Sequence, residues 1–338
     1  MTSSTAAPVA LTRHRDAIEA ALQVAVGPGD SAIERVARYV MGWEDEHGQP
    51  SSSGGKRIRP ALALVAAEAV GGNSSDAMPG ALAVELVHNF SLVHDEIQDH
   101  DAERHHRPTV YALIGEAQAI NVGDFLYTRA LHALTDGAGD VARRMDALRV
   151  LNRAIHRMLE GQWQDLDFEA RDDVTVDDYL AMVAGKTGAL LGAPMEIGAL
   201  LAGASAELAA GLGRWGEQVG LAFQAQDDYL GTWGDPNETG KSNTNDILRR
   251  KKTLPIIHGL NDPDAGAVIR RVFAEMERTP DVAEVLRALE LCGADDRCRQ
   301  QARQHAYAAD ALLADFELSS EARTELRDTA VYLVERSG

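Results

Sequence analysis

The sequence predicts an all-α fold, and three observations carry that prediction. Long segments rich in Ala, Leu, Val, Glu and Arg keep a helical period, and strand-like alternation is nearly absent. Clusters of Gly, Pro, Asn and Ser break the chain near 48–55, 71–80, 136–140, 203–206, 231–245 and 261–266. No Pro/Ser-rich linker divides it, so a single helical domain is expected over 13–338. Residues 1–12 and the last few are expected to be mobile tails.

In chain order, Ser74-Ser75-Asp76 followed by Pro79 opens a strong helix that should run to about Asp99. Thr175-Val176-Asp177-Asp178 opens another, with acidic residues in its first turn. The least charged stretch, Tyr179 to Gly203, contains Lys186, Pro194, Glu196 and five glycines, which suits a buried helix and not a bilayer span. Arg13, Arg15 and Asp16 interrupt the first 26 residues before any apolar run could serve as a secretory signal.

Composition excludes several function classes. The chain has 338 residues, 25% of them charged and 45% hydrophobic, which fits a soluble globular protein. A formal net charge of −19 argues against nucleic acid or an anionic membrane as partner, because both require clustered Lys and Arg. Cys292 and Cys298 fit no zinc or disulfide pattern, so a cytoplasmic location is expected.

Two acidic clusters end otherwise apolar runs: His94-Asp95-Glu96-Ile97-Gln98-Asp99 and Gln226-Asp227-Asp228-Tyr229. Asp95 and Asp99 stand four residues apart and share a helix face, where two unpaired carboxylates repel and call for a cation between them. An all-oxygen ligand set points to Mg²⁺, completed by water and substrate phosphate. His88, Leu92, Asp95 and Asp99 form one stripe at offsets 0, 4, 7 and 11. Phe223, Gln224, Asp227 and Asp228 present apolar, amide and carboxylate groups from the second helix. Cations suited to phosphate stand at Lys56-Arg57-Ile58-Arg59, Arg104, Lys186, Lys241 and Arg249 to Lys252. Any one basic cluster alone reads as solvated surface, and the coincidence with paired carboxylates is what points to diphosphate.

These residues resemble, in order, the motifs of the trans-isoprenyl diphosphate synthases, also called polyprenyl synthetases, and in particular short-chain members such as geranylgeranyl or farnesyl diphosphate synthase. The resemblance spans roughly residues 45–310. It runs through Gly54-Gly55-Lys56-Arg57-Ile58-Arg59-Pro60, Glu85 to His88, the 95–99 cluster, Arg104, Pro108-Thr109 and Asn121 to Asp124. It continues through Gly161-Gln162, Asp165, Lys186-Thr187, Phe223-Gln224, Asp227-Asp228, Gly240-Lys241, Asp246 and Lys251 to Pro255.

The resemblance implies a helical bundle of the isoprenoid synthase type with a central cavity. It also implies Mg²⁺-dependent head-to-tail condensation of isopentenyl diphosphate with an allylic diphosphate of C5 to C15. Asp95, Asp99 and Asp227 would ligate Mg²⁺, three ions per site, Arg104, Lys186 and Lys241 would hold the allylic diphosphate, and Lys251 would bind substrate. Lys56, Arg59, His88 and His105 would serve the isopentenyl side, and Thr187 and Gln224 would place their dipoles near the carbocation. The family also implies a homodimer. Segment 237–245 is expected to close over the site.

Three departures stand out: Glu96 in place of the second aspartate, Gly231 in place of a third aspartate in the second motif, and His105 in place of a second arginine. Asp235 is the expected substitute for the missing carboxylate. Phe90 and Ser91, one turn before Asp95, are expected to floor the chain pocket, half blocked, giving a C20 product with C15 next, the alternative being that Phe90 is ordinary core packing. The rival readings are a class I terpene cyclase and a non-catalytic partner subunit of another synthase.

Overall fold

The computed structural model describes residues 7–104, 107–234, 244–275 and 278–335. His105, Asp235, Lys241 and residues 237–243 of the expected closing segment lie outside the described residues.

Helices α1 (Val9–Thr12), α2 (Arg15–Val26) and α3 (Ala32–Val40) lead through an irregular loop into α4 (Ile58–Ala69) and α5 (Ser74–Gln98). Two dipeptide strands, β1 (Glu103–Arg104) and β2 (Arg107–Pro108), pair antiparallel, Arg104 opposite Arg107. After them come α6 (Val110–Ile114), α7 (Glu116–Thr135) and α8 (Val141–Glu169). α9 (Val176–Val183), a π-helical turn (Ala184–Gly188) and α10 (Ala189–Leu201) then follow without a break. The long α11 (Ala206–Trp233) precedes α12 (Asn245–Leu248), α13 (Leu254–Leu260), α14 (Pro263–Ala274), α15 (Val282–Leu291), α16 (Ala294–Ala314) and α17 (Ser320–Glu335).

Local chemistry sets the helix starts. Asn73 caps α5 by accepting from the Ser75 N–H at 3.0 Å. Asp140 caps α8 by accepting from the Arg143 N–H at 2.9 Å. Thr175 and Asp178 form a reciprocal capping box on α9, at the helix start expected there. Asp262 caps α14, with Pro263 in the first helical position where its missing N–H costs nothing.

The centre is built from helices that are apolar all round. Every residue from Pro60 to Ala67 of α4 is buried, as is every residue from Ala189 to Met195 of α10. A second core gathers Phe168, Tyr179, Met182, Leu221 and Leu254, and a third lies among α13, α14 and α15. Both cysteines are free, Cys298 within the second core. No helix of the described residues is long and apolar enough to cross a membrane.

The all-α prediction holds, with three differences of detail. Within the expected tail, Val9–Thr12 is helical because Ala10 and Leu11 are buried against the bundle, 2% and 5% exposed. The expected buried helix over 179–203 is three segments, since the backbone widens into the π turn at Ala184. The small β1–β2 hairpin interrupts an otherwise helical chain just after the first acidic cluster.

Candidate active site

The end of α5, the second half of α8, the π turn and the C-terminal half of α11 converge on two adjoining cavities. One, of about 190 Å³, is lined by Arg59, His88, Phe90, Ser91, Asp95, Arg104, Met158, Gln162 and Leu190, among others. The other, of about 210 Å³, is lined by Asp165, Glu169, Tyr179, Gln224, Asp227, Asp228, Asp246 and Lys251, among others. Lys186 and Thr187 belong to the walls of both, so the π turn is where the two acidic clusters meet.

Close packing puts the π turn there. A Cβ on Gly161 of α8 would stand 2.3 Å from the Lys186 backbone nitrogen, so only glycine lets α8 approach this far. π-helical insertions recur at functional sites because they rotate a short run of side chains out of the α register. Here the run is Ala184 to Gly188, and it delivers Lys186 and Thr187 to the cavities.

The electrostatics are those of a site organised for cations and anions together. Burial pushes the Asp95 carboxyl up to about 6, Asp99 and Asp165 add to the rise, and Lys186 and Arg104 oppose it. Lys186 is hydrogen-bonded to Asp165. Burial disfavours its charge, but Asp165 and Asp95 outweigh that and hold its pKa above the ordinary lysine value. Asp99 caps the end of α5 and has the Lys251 ammonium at 3.7 Å. Burial, together with Arg59, Arg104 and Arg57, drives His88 well below its usual pKa, so its imidazole is neutral at pH 7.

The second cluster is divided between two roles. Asp228 is 6% exposed and accepts from the Leu254 N–H at 2.7 Å, from Gln224 Nε2 at 2.9 Å and from the Tyr179 hydroxyl. Burial still pushes its carboxyl up to about 7 against these three donors. Asp227 faces the cavity. Thr187 Oγ1 donates to Gln224 Oε1 at 3.1 Å, so Gln224 ties the π turn to Asp228.

Most of the residues singled out in the sequence come together here. Asp95, Arg59, His88, Phe90, Ser91 and Arg104 line the first cavity, Asp227, Gln224 and Lys251 the second, and Lys186 and Thr187 both. Lys56 is exposed on the loop before α4 and lines neither of the two. His105 and Lys241 lie outside the described residues. Phe90 is buried and packs edge-on against His94, ring centroids 4.8 Å apart, and against Tyr127 at 5.4 Å.

Two of the departures have a visible setting. Glu96 is 8% exposed and points away from the shared face of Asp95 and Asp99; burial raises its pKa to about 6, while Arg104 and the Val110 N–H favour its charged form. At Gly231, a Cβ would stand 3.2 Å from Asp246 Oδ2, so the carboxylate of Asp246 occupies the space beside the missing aspartate.

Sequence reasoning gave no role to Asp165, Tyr179 or Asp246. Asp165 carried a signal, since it lies one turn after Gly161 on α8. Tyr179, next after the acidic opening of α9, carried none. Among the described residues no three His, Cys, Asp or Glu side chains converge tightly enough to enclose a metal unaided.

Comparison with known proteins gives this geometry a family. The polyprenyl synthetase profile matches residues 46–292. A (2E,6E)-farnesyl diphosphate synthase of Mycobacterium tuberculosis is 41% identical over 320 residues, covering 91% of this chain and 87% of the relative. A geranylgeranyl diphosphate synthase of the same organism is 42% identical over 260 residues, covering 77% and 74%. The crystal structure of a polyprenyl synthetase from Streptomyces coelicolor superposes with a TM-score of 0.89 at 37% identity, covering 96% of this chain and 99% of that one. With its motifs gathered on one helical bundle and its relatives extending over nearly the whole length, the chain belongs to the polyprenyl synthetase family and is a prenyltransferase.

Proposed function

We propose that this chain condenses isopentenyl diphosphate with an allylic diphosphate of C5 to C15, giving an all-trans prenyl diphosphate of C20, with C15 next. The observation that carries this reading is the pair of cavities sharing Lys186 and Thr187. For a diphosphate set between the two acidic clusters, the cavity beside Asp95 presents Phe90, Leu92, Met158 and Leu190 to its chain among polar neighbours.

The residues fit magnesium. The donors facing the site are carboxylate oxygens, and burial, with Asp99 and Asp165 adding to it, holds the Asp95 carboxyl above its ordinary range. Asp95, Asp99 and Asp227 would hold the ions, three per site. When bound, Mg²⁺ supplies charge neutralisation to the departing diphosphate.

Everything else falls to side chains. Arg104, Lys186, Lys241 and Lys251 grip the allylic diphosphate, and Arg104 can do so with two parallel N–H donors. Arg59, Lys56 and the neutral His88 hold isopentenyl diphosphate, with His105 beside Arg104 in place of a second guanidinium. As the allylic C–O bond breaks, Thr187 and Gln224 set their dipoles toward the carbocation, and fixed dipoles of this kind need no reorganisation during the reaction. The double bond of isopentenyl diphosphate closes on the cation and a proton leaves to the released diphosphate, so no protein nucleophile or dedicated base takes part. Phe90, braced by His94 and Tyr127, limits the length of the pocket, while Ser91 beside it leaves room for a longer chain. The enzyme acts in the cytoplasm as a homodimer.

A product assay tests this reading. Purified protein, Mg²⁺ and labelled isopentenyl diphosphate are offered with C5, C10 or C15 allylic diphosphates, and products are analysed with and without phosphatase. Linear C20 alcohol released only by phosphatase is expected. A C15 end point corrects the chain length, and hydrocarbon formed from the allylic substrate alone overturns the condensation.

A further inference from the structure

We infer that Arg57 is a positioning residue for the isopentenyl diphosphate half of the site, fixing the loop that carries Lys56 and Arg59 to three separate helices. The inference rests on the reading above that Lys56, Arg59 and His88 hold that substrate.

In sequence, Lys56, Arg57 and Arg59 look like three equivalent phosphate ligands. The structure separates them. Arg59 lines the first cavity, whereas Arg57 lines neither and is 4% exposed. Its guanidinium is given over to protein acceptors. Nε donates to Glu19 Oε1 of α2 at 2.8 Å, and Nη1 to Glu85 Oε1 of α5 at 2.9 Å. Nη2 donates to the carbonyl oxygen of Met41, at the end of α3, at 2.7 Å. Glu19 is itself held by Trp43 Nε1 at 2.8 Å.

The same residue adopts φ +52°, left-handed backbone that a long side chain rarely takes, as it turns the loop into α4. Two unfavourable features therefore meet at one position: a strained φ, and a guanidinium taken out of water. Strain of this kind persists only where the surroundings over-determine it. Here two carboxylates and one carbonyl do so, and what they hold in place is the chain one residue from Lys56 and two from Arg59. The direction in which those two cations project follows from this anchor.

The test is a split between Michaelis constants. Arg57→Lys keeps the charge but cannot grip both carboxylates and the carbonyl from one planar fork. We expect it to raise KM for isopentenyl diphosphate about tenfold, with KM for the allylic substrate and kcat within about threefold, because displaced cations weaken their hold on the phosphates of that substrate alone. Glu85→Gln and Glu19→Gln, which touch no substrate, should move the same KM in the same direction by smaller factors. They carry the comparison should Arg57→Lys fail to fold by circular dichroism. Lys56→Ala is the control on the underlying reading. If it leaves KM for isopentenyl diphosphate unchanged, the substrate assignment fails and takes the inference with it. If it raises that KM while the Arg57, Glu19 and Glu85 variants do not, the positioning role alone is overturned. Equal losses in both Michaelis constants and kcat, accompanied by a lower melting temperature, also overturn it, leaving Arg57 a structural residue.

Discussion

The two acidic clusters read alike in sequence and are built on opposite terms. At the end of α5, Asp95 and Asp99 share one helix face and have lysine ammonium groups as cationic neighbours; Asp95 lines the first cavity, while Asp99 lines neither of the two. On α11 the pair is split. Asp227 faces the cavity, while Asp228 turns inward and is satisfied by Leu254, Gln224 and Tyr179. Adjacent residues on a helix point about 100° apart, so an Asp-Asp doublet cannot present both carboxylates to one ion from one face. What distinguishes a ligand from a brace is the set of donors already committed to it.

The largest effect should come from removing the open carboxylates. Asp95→Ala and Asp227→Ala are expected to lower turnover by about a thousandfold or more, the scale seen when a transition-state charge loses its stabilising group. Their melting temperatures should stay at or above wild type. Steady-state assay alongside thermal denaturation checks both halves. Retained turnover in either variant removes that residue from the metal set.

Asp228→Ala should reverse the pattern. It strands the buried Tyr179 hydroxyl and Leu254 N–H without an acceptor, which costs about 2–4 kcal/mol in stability. Urea denaturation should show that loss. Turnover should fall less than in Asp227→Ala, because Gln224 loses one anchor and keeps its bond from Thr187. A variant as stable as wild type would place Asp228 among the ligands and not the braces.

The next effect is the pH dependence that Asp95 contributes. The folded pKa of Asp95, about 6, lies above its ordinary value of 3.8. The folded chain therefore binds this proton more tightly than the unfolded chain. Its stabilising contribution is complete below pH 3.8 and is lost as pH rises through 6. Asp95→Asn removes that loss. In EDTA the variant should be more stable than wild type at pH 8 by on the order of 1–2 kcal/mol, and the advantage should vanish by pH 4. Calorimetry at several pH values measures it, and a gap independent of pH would show that the buried Asp95 carboxylate is not its cause.

How much of this contrast was legible beforehand depends on whether the signal was local. The span of α5, its start beside Ser74 and the helix start at Thr175 follow from residues a few positions apart, and they appear as expected. The face shared by Asp95 and Asp99 follows from helical period alone. The commitment of Asp228 does not, because Tyr179 lies 49 residues before it and Leu254 lies 26 after it, and neither differs in sequence from ordinary core. The π turn was hidden for a similar reason: Gly161 allows it from another helix. The helix at Val9–Thr12 was missed because four residues carry too little periodicity to reveal a buried face.

The smallest effect concerns Gly231, where the second cluster departs from the first in lacking another carboxylate on its own helix. Alanine there gains about 1 kcal/mol of helix propensity over glycine. Its Cβ, however, arrives 3.2 Å from Asp246 Oδ2, so the short α12 must yield by a few tenths of an ångström. The two contributions offset one another, and Gly231→Ala should change stability by less than about 0.5 kcal/mol. Gly231→Asp adds a like charge beside Asp246. In EDTA it should melt below Gly231→Ala, and excess Mg²⁺ with inorganic diphosphate should close that gap, because a bound cation converts carboxylate repulsion into ligation. A gap that Mg²⁺ and diphosphate leave open would mean that Asp246 stands apart from the ion, and that the second cluster works with Asp227 alone.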